Sequence, residues 1–171
     1  MKLKLFIITI IVASFAMIGL LGGCGGGNSG SNEQDDSSIA IGMITPDNTS
    51  LSWGTVNGER ALTYYKDGEI LFLLVYDKEL TIDTVYTTNE KTMGISCFDL
   101  PTTAILDFTA TSSDNSVAFL NQINTGIYTV TAGIAGEATI SITTDDNRKA
   151  SLTVIVVNSV DDMPEFTPDI L

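Results

Sequence analysis

The residues of this 171-residue chain best suited to covalent chemistry are its two cysteines, Cys24 and Cys97. The sequence has no histidine, which excludes Ser-His-Asp and Cys-His catalysis and removes the commonest metal ligand of proteins. Cys97 shares an alternating apolar pattern with Met93 and Ile95. We therefore expect a buried, unreactive thiol at Cys97, with a free nucleophile as the alternative.

Carboxylates are the other reactive groups, since the chain has 21 aspartates and glutamates. A glycosidase-like pair needs a cleft that holds two carboxyl groups about 5–9 Å apart, and a small β-domain rarely builds one. We therefore predict a protein that is not an enzyme and that has no metal site and no cofactor. Calcium is the alternative for three acidic turns, although none has the spacing of a calcium loop: Asp114-Asn115, Asp145-Asp146-Asn147 and Asp161-Asp162.

Aromatic residues that could stack on sugar rings are concentrated in the first part of the chain, at Trp53, Tyr64, Tyr65 and Tyr76. Tyr64 and Tyr65 are adjacent, so a β-strand would direct them to opposite faces. Packing in the core or at a sheet edge is the simpler interpretation of the group. A binding site for a carbohydrate at Trp53, Tyr64 and Tyr65 is the alternative.

The residues before Cys24 have the pattern of a secretory signal peptide. Lys2 and Lys4 precede an apolar run at positions 5–21, and two glycines follow it. A charged start, an apolar middle and a small-residue exit predict a secretory signal peptide that is cleaved off. A retained transmembrane anchor is the alternative, but the run is at the lower edge of what spans a bilayer, and no positive cluster follows it.

The tetrapeptide Leu21-Gly22-Gly23-Cys24 resembles the lipobox of bacterial lipoproteins. The resemblance implies that the thiol of Cys24 receives a diacylglycerol, that residues 1–23 are removed, and that the new amine is acylated. Two or three acyl chains give a stable membrane anchor. The implied location is a cell membrane or outer membrane; Gly25 replaces the aspartate that retains some lipoproteins in an inner membrane. With Cys24 acylated, Cys97 has no partner for an intrachain disulfide.

Cleavage also changes the charge of the chain. Loss of Lys2 and Lys4 leaves six basic residues against 21 acidic ones, which is a net charge of −15. Such a balance argues against nucleic acid as a partner and against lying flat on an anionic membrane. Residues 24–38 contain no apolar side chain after the cysteine, so we predict a disordered tether with a reach of about 20 Å.

The rest of the chain has the two-residue periodicity of β-strands. Ala138, Ile140 and Ile142 alternate with polar residues, a polar turn follows, and the alternation resumes at Leu152, which predicts a β-hairpin with one buried face. The apolar run Glu69–Tyr76 suits a strand buried on both faces. Short strands separated by turn signals predict an all-β, antiparallel sandwich.

Three segments are similar to bacterial immunoglobulin-like domains of the second group: Ala110–Ala118, Gly126–Ile140 and Ala150–Val157. The resemblance implies an immunoglobulin-like domain over residues 80–158, of a class often found in adhesion proteins and often used there as a spacer. Residues 39–79 are expected to add strands to this sandwich, with a small separate subdomain as the alternative. Residues 159–171 are expected to be a loose tail.

These observations predict a membrane-anchored lipoprotein that displays a non-catalytic module for binding or adhesion at the cell envelope, with a protein or a carbohydrate as the surface ligand. A carbohydrate-binding module is one alternative, which exposure of Trp53 and Tyr65 on one flat face would favour. A structural spacer or assembly subunit is the other, which a surface without an aromatic patch would favour.

Overall fold

The alternation of apolar and polar residues becomes a series of strands in the computed structural model, which describes residues 38–77, 81–100 and 102–170. In these ranges the regular elements are strands and one turn of 3-10 helix at Val160–Asp162. The all-β prediction is therefore confirmed. The strands are β1 Ile39–Ile44, β2 Ser50–Val56, β3 Glu59–Lys66, β4 Glu69–Tyr76, β5 Ile82–Thr88, β6 Thr92–Asp99, β7 Ile105–Leu106, β8 Phe108–Ser112, β9 Ala118–Asn124, β10 Ile127–Ala132, β11 Gly136–Thr144, β12 Lys149–Val157 and β13 Thr167–Pro168.

The strands form two sheets that pack face to face. Sheet A has the order β1-β6-β10-β9, with β7 paired to one end of β6. Sheet B has the order β13-β2-β3-β4-β5-β12-β11-β8. The pairs are antiparallel, as predicted, except that β5 and β12 run parallel. A parallel pair needs a long crossover, and here the chain between β5 and β12 builds most of sheet A.

A continuous apolar core lies between the sheets. The predicted hairpin of β11 and β12 contributes alternate buried residues, as do β6 and β10 of sheet A. The same core includes residues from both the predicted immunoglobulin-like part and the strands before it. Its largest fully buried side chains are Phe72, Phe108, Ile41, Leu74, Ile82, Ile95, Ile140, Ile142 and Leu152.

Strands β1 to β4 extend the sandwich on both layers. Strand β1 pairs with β6 in sheet A, and the β2–β4 meander joins sheet B through the pairing of β4 with β5. The predicted β3–β4 hairpin turns at Asp67-Gly68, where both φ angles are positive, +54° and +86°. A two-residue turn of this kind needs positive φ at both positions, and Asp-Gly supplies it at low cost.

Strand β4 is buried on both faces, as its apolar run predicts. Phe72 and Leu74 face the core between the sheets, while Leu73 and Val75 belong to a smaller cluster on the outer face of sheet B. The cover for this outer cluster is the C-terminal tail, whose half-buried Met163 and Phe166 pack on it.

The tail is held in place by several contacts, so the expectation of a loose end was wrong. Strand β13 pairs with β2, and the amide of Asp169 donates to the carbonyl of Trp53 at 2.9 Å. The carboxylate of Asp169 also pairs with Arg60 at 2.7 Å. Two isolated apolar residues have no periodicity, so the sequence pattern did not reveal this packing. In the described residues no helix is long and apolar enough to cross a membrane.

Candidate functional site

The predicted lipid attachment site, Cys24, lies outside the residues that the structure describes, as do the predicted signal peptide and most of the tether. Lipidation therefore stays a prediction. The described chain begins at Ser38, whose carbonyl accepts from the amide of Leu100 at 2.9 Å, and enters the sandwich directly through β1 at the edge of sheet A.

The ring of Trp53 packs against two side chains of the same chain, Tyr76 and Arg60. Its centroid lies 5.6 Å from that of Tyr76, and the guanidinium carbon of Arg60 lies 4.8 Å from it. A cation over an aromatic face at this distance is a stabilising contact. The same Arg60 pairs with Asp169, so the tail fixes the cation over the ring.

The side chains of the adjacent Tyr64 and Tyr65 lie on opposite faces of sheet B. Tyr64 is 3% exposed in the core, and burial raises the pKa of its hydroxyl. Tyr65 pairs with Ser50, whereas Trp53 pairs with Leu62, so Trp53 and Tyr65 occupy opposite faces of the sheet. The structure therefore does not bring the three predicted rings onto one exposed face, which is what a flat sugar-stacking platform requires.

Cys97 lies fully buried on the inner face of β6. Burial raises the pKa of its thiol to about 11, although the positive charge of Arg148 lowers it in part. A thiol with such a pKa is protonated at neutral pH and is a poor nucleophile. The arrangement suits a small packing residue, which is the role expected from its pattern with Met93 and Ile95.

One group of charged side chains connects the two sheets at an end of the sandwich. Arg148, in the β11–β12 turn, donates to Asp99 at the end of β6 and to Asp146, at 2.6 Å in each ion pair. Hydrogen bonds from Thr102 and Arg148 hold the pKa of Asp99 below its usual value, and those from Arg148 and Thr144 do the same for Asp146. These contacts indicate a structural role.

The acidic turns proposed as calcium sites are engaged locally. The carboxylate of Asp114 accepts from the amide and hydroxyl of Ser116, and that of Asp146 accepts from Arg148. In the described part of the chain, no three histidine, cysteine, aspartate or glutamate side chains are placed to hold one metal ion.

The outer face of sheet A differs from the rest of the surface because it has no charged residue. Asp99 is the sole charged residue in the five strands of this sheet, and it is paired with Arg148. We call this surface the uncharged face. By alternation its residues are Gly42, Ile44, Thr92, Gly94, Phe98, Ile105, Phe119, Asn121, Thr129 and Thr131, while Ala40 and Ser96 lie on the same side but are buried.

Apolar side chains make up much of the uncharged face. The ring of Phe98 lies over Gly42, and the side chain of Ile44 lies over Gly94. Phe119 and Ile105 are 56% and 44% exposed, and Ile123 at the end of β9 is 56% exposed. Exposed apolar groups bordered by polar residues are typical of interaction sites.

Sequence reasoning missed this face because it followed the buried residues of each strand. The inner residues of β6 and β10 have a clear two-residue period, whereas the outward ones are a mixture of threonine, glycine and apolar residues. The segments that form β1, β9 and β10 contain no charge, but neither do those of β2 and β8 in sheet B, so the sequence alone did not single out this face.

Comparison with known proteins identifies no family for this chain. No family model matches the sequence, and no curated protein matches it. A crystal structure of domains 4 and 5 of the S-layer protein SbsC is similar to 76% of this chain and 81% of that chain, with 14% sequence identity and a TM-score of 0.34.

Proposed function

We propose that this protein is a bacterial lipoprotein, anchored by Cys24, whose β-sandwich binds a partner at the cell envelope through the uncharged face and catalyses no reaction. The observation that carries the proposal is the absence of charge and the exposure of Phe119 and Ile105 on that face, in a chain with 21 acidic residues. Binding removes water from the surfaces that meet, and removing it from carboxylates is costly. The uncharged face avoids that cost.

The proposed anchor joins the sandwich at the same sheet that carries the proposed binding surface. The tether of residues 24–38 leads into β1, which is an edge strand of the same sheet. With the reach of about 20 Å predicted from its length and composition, this tether would lift the sandwich from the membrane without fixing its orientation. The uncharged face is then free to meet a partner beside the protein or above it.

The anchor is tested by intact-mass spectrometry of the protein extracted from membranes, beside a Cys24→Ala variant. We expect a mass that begins at Cys24 and includes acyl chains, and a variant that loses both the acyl mass and the membrane association. A chain cut elsewhere, or left uncut and unmodified, would contradict the lipoprotein proposal.

The surface is tested with the mature chain carrying Cys24→Ser, so that binding does not depend on lipid. The labelled protein is sedimented with cell envelopes prepared from its own host. A Phe119→Asp variant places a charge on the uncharged face, and a Thr111→Asp variant places the same charge on the exposed face of β8. We expect binding that Phe119→Asp weakens about tenfold or more and that Thr111→Asp preserves. Equal binding by both variants would contradict the proposed surface.

A further inference from the structure

Strand β2 would be the edge of sheet B without the two-residue β13. Strand β13 pairs antiparallel with it at Thr55 and Gly54, whereas β2 is seven residues long. Its sequence SLSWGTV contains no charge and no proline, which are the residues that protect natural edges. Strands β8 and β9 end their sheets with no added strand in the described residues, so β2 is the edge where the structure shows what can bind.

The tail shows which side chains this edge accepts. Phe166 packs on the outer cluster and lies over Gly54. Asp169, three residues later and so on the opposite face, pairs with Arg60 at 2.7 Å, and its amide donates to the carbonyl of Trp53 at 2.9 Å. A strand on this edge therefore offers an apolar side chain to the outer cluster and a carboxylate to Arg60.

The tail is held less firmly than the other strands of sheet B. None of the residues 159–170 is buried, and the side chains of Arg60 and Asp169 are 44% and 43% exposed. Pro168 has no amide to donate to the edge, and Ile170 is fully exposed. Segments with few buried contacts open at a lower free energy than the core of a protein, so we expect the tail to open before the sandwich unfolds.

A buried hydroxyl on the outer face of sheet B also favours opening. Thr63 lies two residues from Ala61 of the outer cluster, and it pairs across to Leu73 of the same cluster. Thr63 is 0% exposed, yet its hydroxyl has no hydrogen-bond partner in the described part of the chain. A buried polar group without a partner is destabilising. Access of water to this face would relieve that penalty.

We propose that the edge of β2 and the outer cluster form a binding site for an extended peptide strand of a partner protein, and that the tail is a built-in competitor for this site. The partner strand has an apolar residue in the place of Phe166 and a carboxylate in the place of Asp169. The site belongs to sheet B, whereas the uncharged face belongs to sheet A, so this inference is independent of the proposed function.

A partner strand without proline makes more contacts on this edge than the tail does. The tail pairs with two residues of β2, and residues 50–52 have no strand partner on that side in the described structure. A longer strand adds backbone hydrogen bonds there, and Leu51, 36% exposed, gives it an apolar contact. Strand addition of this kind takes its affinity from main-chain hydrogen bonds and its specificity from side-chain pockets.

Peptide binding to the mature Cys24→Ser chain tests the proposal. The probe is a fluorescent peptide that copies residues 163–170 with Pro168→Val, so that it has the amide that the tail lacks. We expect weak binding by the Cys24→Ser chain and binding about tenfold tighter when Phe166→Ala is added, because the weakened tail competes less. Phe119→Ala removes an exposed ring from sheet A instead, and this matched control should leave the affinity for the peptide unchanged.

A disulfide that closes the tail onto β2 gives the converse variant. Thr55 and Thr167 lie directly opposite each other in the antiparallel register, so Thr55→Cys with Thr167→Cys places two thiols close enough to join. The remaining cysteine, Cys97, is buried. Intact mass confirms that the disulfide has formed. The oxidised chain should not bind the peptide, and reduction should restore binding.

Hydrogen exchange locates the bound peptide. The carbonyl of Trp53 accepts from the tail, and backbone groups alternate in direction along a strand, so the amide of Leu51 also faces the open edge. We expect that amide to become protected when the peptide binds, and the amide of Asp169 to lose protection. Circular dichroism confirms that each variant keeps its strands.

Several outcomes would overturn the proposed site. They are an equal affinity of the chains with and without Phe166→Ala, peptide binding by the oxidised chain, and protection at a strand other than β2. Dimers that form without peptide and disappear in the oxidised chain would overturn the foreign strand, because they would make the tail of a second copy the occupant.

Discussion

At the scale of single residues, three charged side chains stabilise one end of the sandwich by pairing with one another. Arg148 is about one-fifth exposed and connects Asp99 of sheet A with Asp146 of the β11–β12 turn. Such a partly buried group loses more when one member is removed than an exposed surface pair does. Arg148 therefore holds the two sheets together at this end of the sandwich.

Arg148→Gln is predicted to lower the folding stability at neutral pH and to make that stability less dependent on pH. The folded pKa of Asp99 is lowered by Thr102 and Arg148, and that of Asp146 by Arg148 and Thr144. Carboxylates with lowered pKa stabilise the fold above their ordinary pKa of about 4, and this stability is lost as the pH falls through the folded pKa.

Thermal unfolding followed by circular dichroism between neutral and acidic pH measures this effect. The gap between wild type and Arg148→Gln should be widest near neutral pH and should narrow as the pH falls below about 4. A gap that is constant with pH would mean that Arg148 acts through packing of its side chain alone. Lys149→Gln, an exposed neighbour with the same loss of charge, is the matched control.

At the scale of elements, the C-terminal tail completes sheet B. Without it, the apolar outer face of the β2–β4 meander, which includes Leu73 and Val75, would meet water. The tail crosses so closely over Gly54 that an added Cβ would lie 2.7 Å from the ring of Phe166. Glycine is needed at this position because any side chain would displace the tail.

Phe166→Ala is predicted to lower the free energy of unfolding by about 1–3 kcal/mol, less than the 3–5 kcal/mol of a fully buried phenylalanine because the ring is half-buried. Gly54→Ala should destabilise through the same contact, by pushing the ring and β13 away. Denaturant unfolding measures both effects.

Phe119→Ala is the matched control for the tail, since Phe119 is 56% exposed. Its effect on the stability of the monomer, measured in dilute solution, should stay within about 0.5 kcal/mol. Equal effects of Phe166→Ala and Phe119→Ala would show that the tail does not cover the outer cluster in solution.

At the scale of the whole molecule, the strands before residue 80 and those after it share one core. Leu62 and Leu74 belong to the same cluster as Ile140 and Val154, and sheet B runs through both parts by the β4–β5 pairing. The main core is shared by both parts, so the described sandwich should gain and lose its structure as a unit.

Differential scanning calorimetry should therefore give a single transition for the mature Cys24→Ser chain, with equal calorimetric and van't Hoff enthalpies. About 130 ordered residues correspond to an enthalpy of roughly 90 kcal/mol near 60 °C. Two resolved transitions would mean that the β2–β4 meander melts on its own, against the shared core.

The sequence alone determined the local features of this protein. Alternation identified the inner faces of β6, β11 and β12, and the apolar run of β4 predicted burial on both faces. The lack of histidine excluded whole classes of chemistry. These conclusions depend on a period of two residues or on single residue types, and both are visible within a few positions.

The tertiary structure decided what covers each face. It placed Trp53 and Tyr65 on opposite sides of sheet B, put Phe166 over Gly54, paired β5 with β12 in parallel, and left the uncharged face open. Each of these relations joins residues far apart in the chain or compares several strands at once. Local propensity has no access to them, because strand pairing and cover depend on packing between distant segments.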